Sequence, residues 1–346
     1  MIDKRIGTDQ LNLIMAMYAV YLASGHTLIS RQIKAGSIGR YLHAAAEFLS
    51  LFDPQEQRDA RFLDRTTTRS PYIQRVLDQV AKFEKVPDRQ DAYTIAMQKA
   101  LYTQTRPLAK AKPDCLKVAL FQWFGAALQG GNRRCEWCQT PAQASIDTFE
   151  LSPTGECRAF TLDDITFFNK KKRPLPLQDA LQNFRRAHYV RVTYRWQKNG
   201  EHGLSKTYAR NTSNRACDSV DHFLHICARY VRLVGMTHTD RPLAIYRAKN
   251  GTIRNITSAD VASVMRALAR DVYHIKNKKD AQRFSTHSLR VGACCILWAK
   301  GLSGEFIQRA LRWKSESWKD YIRDLTIQSL QHNTAINEQW DSVPVY

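Results

Sequence analysis

The chain has 346 residues, 44% of them hydrophobic, and carries 52 Lys+Arg against 32 Asp+Glu, for a formal net charge of +20. That length allows two domains with their own cores, and the composition is that of a folded chain rather than a disordered one. No apolar run approaches the roughly 20 residues of a membrane span, and the opening MIDKRIGTDQLN lacks the apolar stretch of a signal peptide.

A soluble intracellular protein is therefore expected, nuclear in a nucleated cell and otherwise cytoplasmic or at the nucleoid. The positive excess makes nucleic acid the default partner, ahead of an anionic membrane surface or simple solubility.

In chain order, Thr8 or Asp9 caps a predicted helix with Leu11, Ile14, Met15, Tyr18 and Leu22 on one face, ended by Gly25. Ser37 opens a second, with Ile38, Tyr41, Leu42, Ala45 and Leu49, stopped by Asp53-Pro54. Ser70-Pro71 is a cap followed by proline at the first helical position, and Ile73, Val76, Leu77 and Val80 form the stripe of the third. A fourth helix is predicted from Ala92 to Tyr102, completing a bundle. The proline-bearing, basic run TQTRPLAKAKPD (Thr103 to Asp114) reads as a linker.

The second domain opens on a helix from about Cys115 to Leu128, ended by Gly130-Gly131. Strands are predicted in AFTLDDITFF and in YVRVTYRW, where Val190, Val192, Tyr194 and Trp196 alternate with polar residues. Asn199-Gly200 is a strong hairpin signal, and LSKTYAR returns. Helices follow at 218–234, 258–275, 287–300, 303–311 and 317–330. The expected fold is mainly α with a small antiparallel sheet, with domains at 1–105 and 115–346 joined by a linker at 106–114.

Of the eight cysteines, Cys135 and Cys138 look like half of a zinc or redox motif. No second pair follows at ligand spacing, and adjacent Cys294 and Cys295 cannot chelate one metal well. Reduced, buried small residues and no metal are expected.

His287 and Arg290 lie three apart at the start of a predicted helix, hence on one face beside free backbone N–H groups. This is a plausible phosphate site. Taken whole, HSLRVGACCILWAKG…IQRALRWKSESWKDYIR closely resembles the second signature box of the tyrosine recombinase (phage integrase) family, in the Cre-like version with Trp before the tyrosine. The matching residues are His287, Arg290, Trp313 and Tyr321. GNRRCE resembles the first box, carrying its arginine onto Arg133, with Arg134 as rival, and its acid onto Glu136. The family's hairpin lysine matches Lys198 in QKNGEHG, with Lys206 as rival. Arg312 stands where many relatives carry glycine.

The resemblance covers nearly the whole chain. It implies a helical core-binding domain before an α+β catalytic domain, clamped around double-stranded DNA. Two arginines would hold the non-bridging oxygens of a phosphodiester, and Tyr321 would attack it to form a 3′-phosphotyrosine. Lys198 would protonate the leaving 5′ oxygen, His287 would assist, and Trp313 would donate its indole N–H and pack the nucleophile. No cofactor is required. Strand exchange on paired sites implies a homotetramer, with the tail after Tyr321 docking on a neighbour through Trp340 and Ile336. The alternatives are an inactive recombinase-derived DNA-binding protein and a type IB topoisomerase. NKKKRP (Asn169 to Pro174) reads equally as a nuclear-localisation signal or as a basic loop touching DNA backbone.

Overall fold

The computed structural model describes residues 8–25, 33–50, 71–83, 89–197 and 202–322, and the chain divides into two units, Met1–Asp88 and Arg89–Tyr346. In the first unit, α1 (Thr8–Ser24), α2 (Ala35–Ser50) and α3 (Pro71–Phe83) pack around Met15, Ala19, Leu22, Ile38, Leu42, Ile73 and Leu77. Gly25, at φ 81°, makes the left-handed turn that ends α1. The apolar stripes of α2 and α3 follow their predicted spacing, but two positions differ. Ile14 and Tyr41 are exposed, because α1 and α2 are apolar around more of their circumference than one packing face can cover.

In the second unit the elements run α4 (Ile95–Ala111), α5 (Leu116–Gly130), α6 (Arg134–Trp137), β1 (Ile165–Phe168), β2 (Pro174–Leu175), α7 (Leu177–Gln182), β3 (Tyr189–Tyr194) and β4 (Leu204–Ala209). They continue as α8 (Ser219–Leu233), β5 (Ile245–Arg247), β6 (Ile253–Asn255), α9 (Ser258–Tyr273), α10 (Lys278–Ala281), α11 (His287–Ala299) and α12 (Gly304–Ala310), with a 3-10 turn over Glu316–Tyr321. The chain is thus mainly helical with a small antiparallel sheet of order β2-β1-β3-β4, and β5 and β6 form a separate, unpredicted pair.

The predicted linker is corrected. Residues 103–111 are the second half of α4, capped at its start by the Thr94 hydroxyl, which accepts from the Met97 N–H. Met97, Leu101 and Thr105 form a buried stripe at helical spacing, and the first two join the core around Trp123 and Phe124 of α5. That packing carries the helix through Pro107, whose ring removes one backbone hydrogen bond. The fourth predicted helix therefore belongs to the second unit, and the division falls between Asp88 and Arg89.

In the sheet, the predicted alternation holds through Tyr194, with Val190, Val192 and Tyr194 buried and Arg191 exposed, but Trp196 lies beyond the end of β3 and is only half-buried. Asn199-Gly200 lies outside the described residues, as does most of the predicted helix 317–330, whose first part is the 3-10 turn. All eight cysteines are free thiols. Cys138 sits in the core, where burial raises its pKa. Among the described residues, no helix is long and apolar enough to cross a membrane.

Candidate active site

The site is assembled at three chain reversals. The first is the end of α5. Gly131 is left-handed (φ 57°), and a Cβ there would come within 2.7 Å of the Leu311 side chain, so glycine is required on both counts. Two residues on, Arg133 precedes α6, and the carboxylate of Glu136 accepts from the Arg133 backbone N–H (2.8 Å) and from its guanidinium (3.0 Å). Arg134 instead pairs with Glu150 at 2.9 Å. The two adjacent arginines thus have different partners, and it is Arg133 that joins the cluster described next.

The second element is α11. Its glycine Gly292 lies against the backbone of Tyr93, whose carbonyl oxygen would be 2.0 Å from a Cβ, and Tyr93 N–H donates to the Ser288 carbonyl. This fixes the first turn of α11. His287 projects outward from it, and Arg290 projects inward at 4% exposure, donating to the Gly131 carbonyl and lying 4.7 Å above the Trp313 ring. Burial, and next the charge of Arg133, push the Arg290 pKa down to about 9. A buried guanidinium held beside a second cation gains from an anion that shares both.

The third is the end of α12. The Trp313 N–H reaches back to the Gln308 carbonyl and Leu311 to Ile307, a Schellman-type ending whose left-handed position is Arg312 at φ 57°. Glycine is usual there, and a side chain costs about 1 kcal/mol. The Arg312 side chain supplies the compensation. It is fully buried, donates to Glu136 at 2.8 Å and to the Gly130 carbonyl at 2.9 Å, and stacks 3.4 Å above the Tyr194 ring. Arg312 entered the sequence reading only as a departure from a glycine pattern. A buried salt bridge to Glu136 could not be read there, because the two residues are 176 positions apart.

The 3-10 turn then delivers Tyr321. Trp318 anchors it by packing where Gly304 has no side chain, and the Cys295 thiol donates to the Tyr321 carbonyl at 3.1 Å. The Tyr321 hydroxyl sits 3.0 Å from His287 Nε2, and its ring lies 5.0 Å from that of Trp313. Six of the seven predicted site residues (Arg133, Glu136, His287, Arg290, Trp313 and Tyr321) therefore form one connected cluster. Lys198 lies outside the described residues. Lys206, on β4, donates to the Arg309 carbonyl at 2.7 Å, and burial, followed by the charges of Arg312 and Arg309, lowers its pKa.

Chemically, the cluster presents a phenol with an imidazole on its oxygen, beside two guanidiniums. One guanidinium is rigidly held and desolvated, and the other is partly open to solvent. Such a set can bind a tetrahedral anion and bring an oxygen nucleophile to it.

No family model matches the chain, and no curated protein does. Among solved structures, the integrase of transposon Tn1549 in complex with transposon right-end DNA overlaps 97% of this chain and 86% of its own, at 11% identity and a TM-score of 0.47. The XerH site-specific recombinase bound to a palindromic difH substrate overlaps 97% and 74%, at 13% identity and a TM-score of 0.45. A lambda integrase dimer bound to a core site overlaps 93% and 91%, at 14% identity and a TM-score of 0.36. Likeness at these values carries no weight for activity, and the site stands on its own geometry.

Proposed function

We propose that this chain is a tyrosine recombinase of the integrase type, which cuts and rejoins double-stranded DNA through a covalent phosphotyrosine. The observation that carries the reading is the Tyr321 hydroxyl, 3.0 Å from His287 Nε2, in a cluster that also holds the buried Arg290. Isolated tyrosines are ordinary. A tyrosine hydrogen-bonded to histidine beside two arginines, in the order and near the spacing of the signature box, is not.

In this reading Arg133 and Arg290 hold the non-bridging oxygens of the scissile phosphate and stabilise the charge that develops as the fifth oxygen approaches. One such donor is typically worth about 3 kcal/mol. The Tyr321 oxygen forms a bond to phosphorus as the bond to the 5′ oxygen breaks. The phenol proton leaves toward His287, and a lysine, Lys198 or Lys206, protonates the departing 5′ oxygen. The reverse sequence rejoins the strand, because the phosphotyrosine conserves the energy of the original bond. Glu136 holds Arg133 through backbone and side chain, and Trp313 packs against both Arg290 and Tyr321.

The homotetramer belongs to the same proposal. An apolar groove lined in part by Leu128, Ile296, Leu297 and the half-exposed Phe306 offers a seat for the tail that carries Ile336 and Trp340, contributed by a neighbouring copy. Deleting residues 332–346 is expected to leave DNA binding intact and to abolish assembly on paired sites, as read by light scattering.

The activity test is a suicide substrate. Duplexes selected from a random library by binding are nicked beside each candidate cleavage point, so that the 5′ product diffuses away and the adduct accumulates. The wild-type chain is expected to form a denaturant-resistant adduct mapping to Tyr321, and Tyr321→Phe to form none while binding with unchanged affinity. An adduct in the Phe variant would remove the assignment.

A further inference from the structure

The four-stranded sheet has two unlike faces. One buries Phe167, Val190, Val192 and Tyr194, and Lys206 leaves the sheet on that same side to reach Arg309. The other face is open, and around its β1–β2 end the chain concentrates cations. Between Ile165 and Arg191 there are seven lysines and arginines (Lys170, Lys171, Lys172, Arg173, Arg185, Arg186 and Arg191), all exposed, against the single carboxylate of Asp179. That carboxylate pairs with Arg186 at 3.2 Å.

The cations are held in place. Asn169 closes the β1–β2 turn with four hydrogen bonds. Its side-chain oxygen accepts from the Lys171 and Arg173 N–H groups, and its own backbone exchanges with Arg173 and Lys172. The short turn bearing Arg185 and Arg186 is tied to the same sheet end by the His188 N–H on the Phe168 carbonyl. Arg191 lies 4.9 Å above the Phe168 ring and Lys172 6.0 Å from the Tyr189 ring. This end is about 17 Å along β3 from the Tyr194 end, at about 3.3 Å per residue.

We propose that this face is a DNA-docking surface separate from the Tyr321 cluster, which grips the sugar–phosphate backbone of duplex DNA. Three observations select duplex phosphate. The charge is nearly all of one sign, so a polyanion is the complement. The basic run Lys170–Arg173 is folded into a closed turn, so it does not present the extended peptide that a transport receptor would read. The aromatic rings lie beneath cations, so they are not presented for insertion into a lipid surface. Cations spread over a rigid turn, a neighbouring turn and a strand suit successive phosphates along a backbone and carry no base readout.

The experiment uses the full chain and a fluorescein-labelled duplex of arbitrary sequence, with affinity measured across a salt series. The slope of log affinity against log salt is about −0.9 per phosphate neutralised. The variant Lys170→Gln/Lys171→Gln/Arg185→Gln/Arg191→Gln is therefore expected to be shallower by roughly 3 to 4. Lys171→Gln alone, which leaves the turn's backbone bonds untouched, should be shallower by about 0.9. Adduct formation on the nicked substrate should stay within about threefold of wild type, as the surface lies off the catalytic face.

An unchanged slope overturns the proposal, also when the same variant loses binding to phosphatidylserine vesicles, which would make the partner a membrane. An equal drop in Lys249→Gln/Lys276→Gln/Lys278→Gln/Lys279→Gln overturns it too, by reducing it to net charge. A chain that never forms an adduct yet shows the predicted slope changes would remove the tyrosine reading and leave this one standing.

Discussion

Two cationic clusters in the second unit use the same residue types in opposite ways. At the candidate active site, Arg290 and Arg312 are almost completely buried, one above Trp313 and one above Tyr194, and backbone carbonyls or Glu136 take up their N–H groups. On the open sheet face, Lys170–Arg173 and Arg191 keep their charges in solvent. The buried cations have lost hydration and are locked in one geometry, Arg312 on Glu136 and the Gly130 carbonyl, and Arg290 beside Arg133, so an anion shared by Arg290 and Arg133 meets donors that need no reorganisation. The exposed ones are individually weak, screened by salt, and act by number. In the proposed reading, one cluster positions a single phosphate and the other attracts many.

The contrast is sharpest at Arg290. Arg290→Lys keeps the charge but loses the planar fork, and cleavage in single-turnover assays is expected to fall by about a hundredfold to a thousandfold. Arg133→Lys should fall comparably. Arg134→Lys, which pairs with Glu150 rather than with Glu136, should stay within about threefold. Equal losses at 133 and 134 would break the assignment of the first arginine.

Arg312 tests burial through stability. Arg312→Ala leaves a left-handed side chain without its compensating contacts, and an expected loss of about 3 kcal/mol follows for a buried pair deprived of one partner. Arg312→Gly should recover about 1 kcal/mol of that, since glycine adopts positive φ freely. Urea unfolding of the three proteins measures both numbers. If the glycine variant were no better than alanine, the backbone at 312 would not be strained.

A smaller effect distinguishes the clusters by ligand. Inorganic phosphate at ten times its dissociation constant should add about 1.4 kcal/mol of stability, or roughly 3–6 °C in Tm. Arg290→Met should abolish that shift, while neutralising Lys170 and Lys171 should leave it unchanged. Smallest of all, Lys171→Gln is expected to alter stability by less than about 0.5 kcal/mol.

Much of this was legible in the residue order. The alternation in YVRVTY, the Gly25 end of the first helix, the Gly130-Gly131 stop and the helix beginning at His287 are local patterns, and the structure carries them at those places. The signature residues around Tyr321 were legible for a different reason: spacing alone places only His287 and Arg290 on one helical face, and Trp313 and Tyr321 were picked out by the resemblance to the family's signature box. The linker failed because Pro107 and its basic neighbours resemble a break locally, while the helix is held by a distant apolar surface around Trp123.

By itself, then, the sequence determined most element types and the net positive charge, which follow from periodicity and composition, while the candidate nucleophile came from the resemblance to a family signature box. Only the tertiary structure decided which arginine of the Arg133-Arg134 pair faces Arg290, that Arg312 closes on Glu136, and that Lys206 and the basic turn leave opposite sides of one sheet. Each of these depends on contacts between segments far apart in the chain, and burial, not spacing, sets their energy.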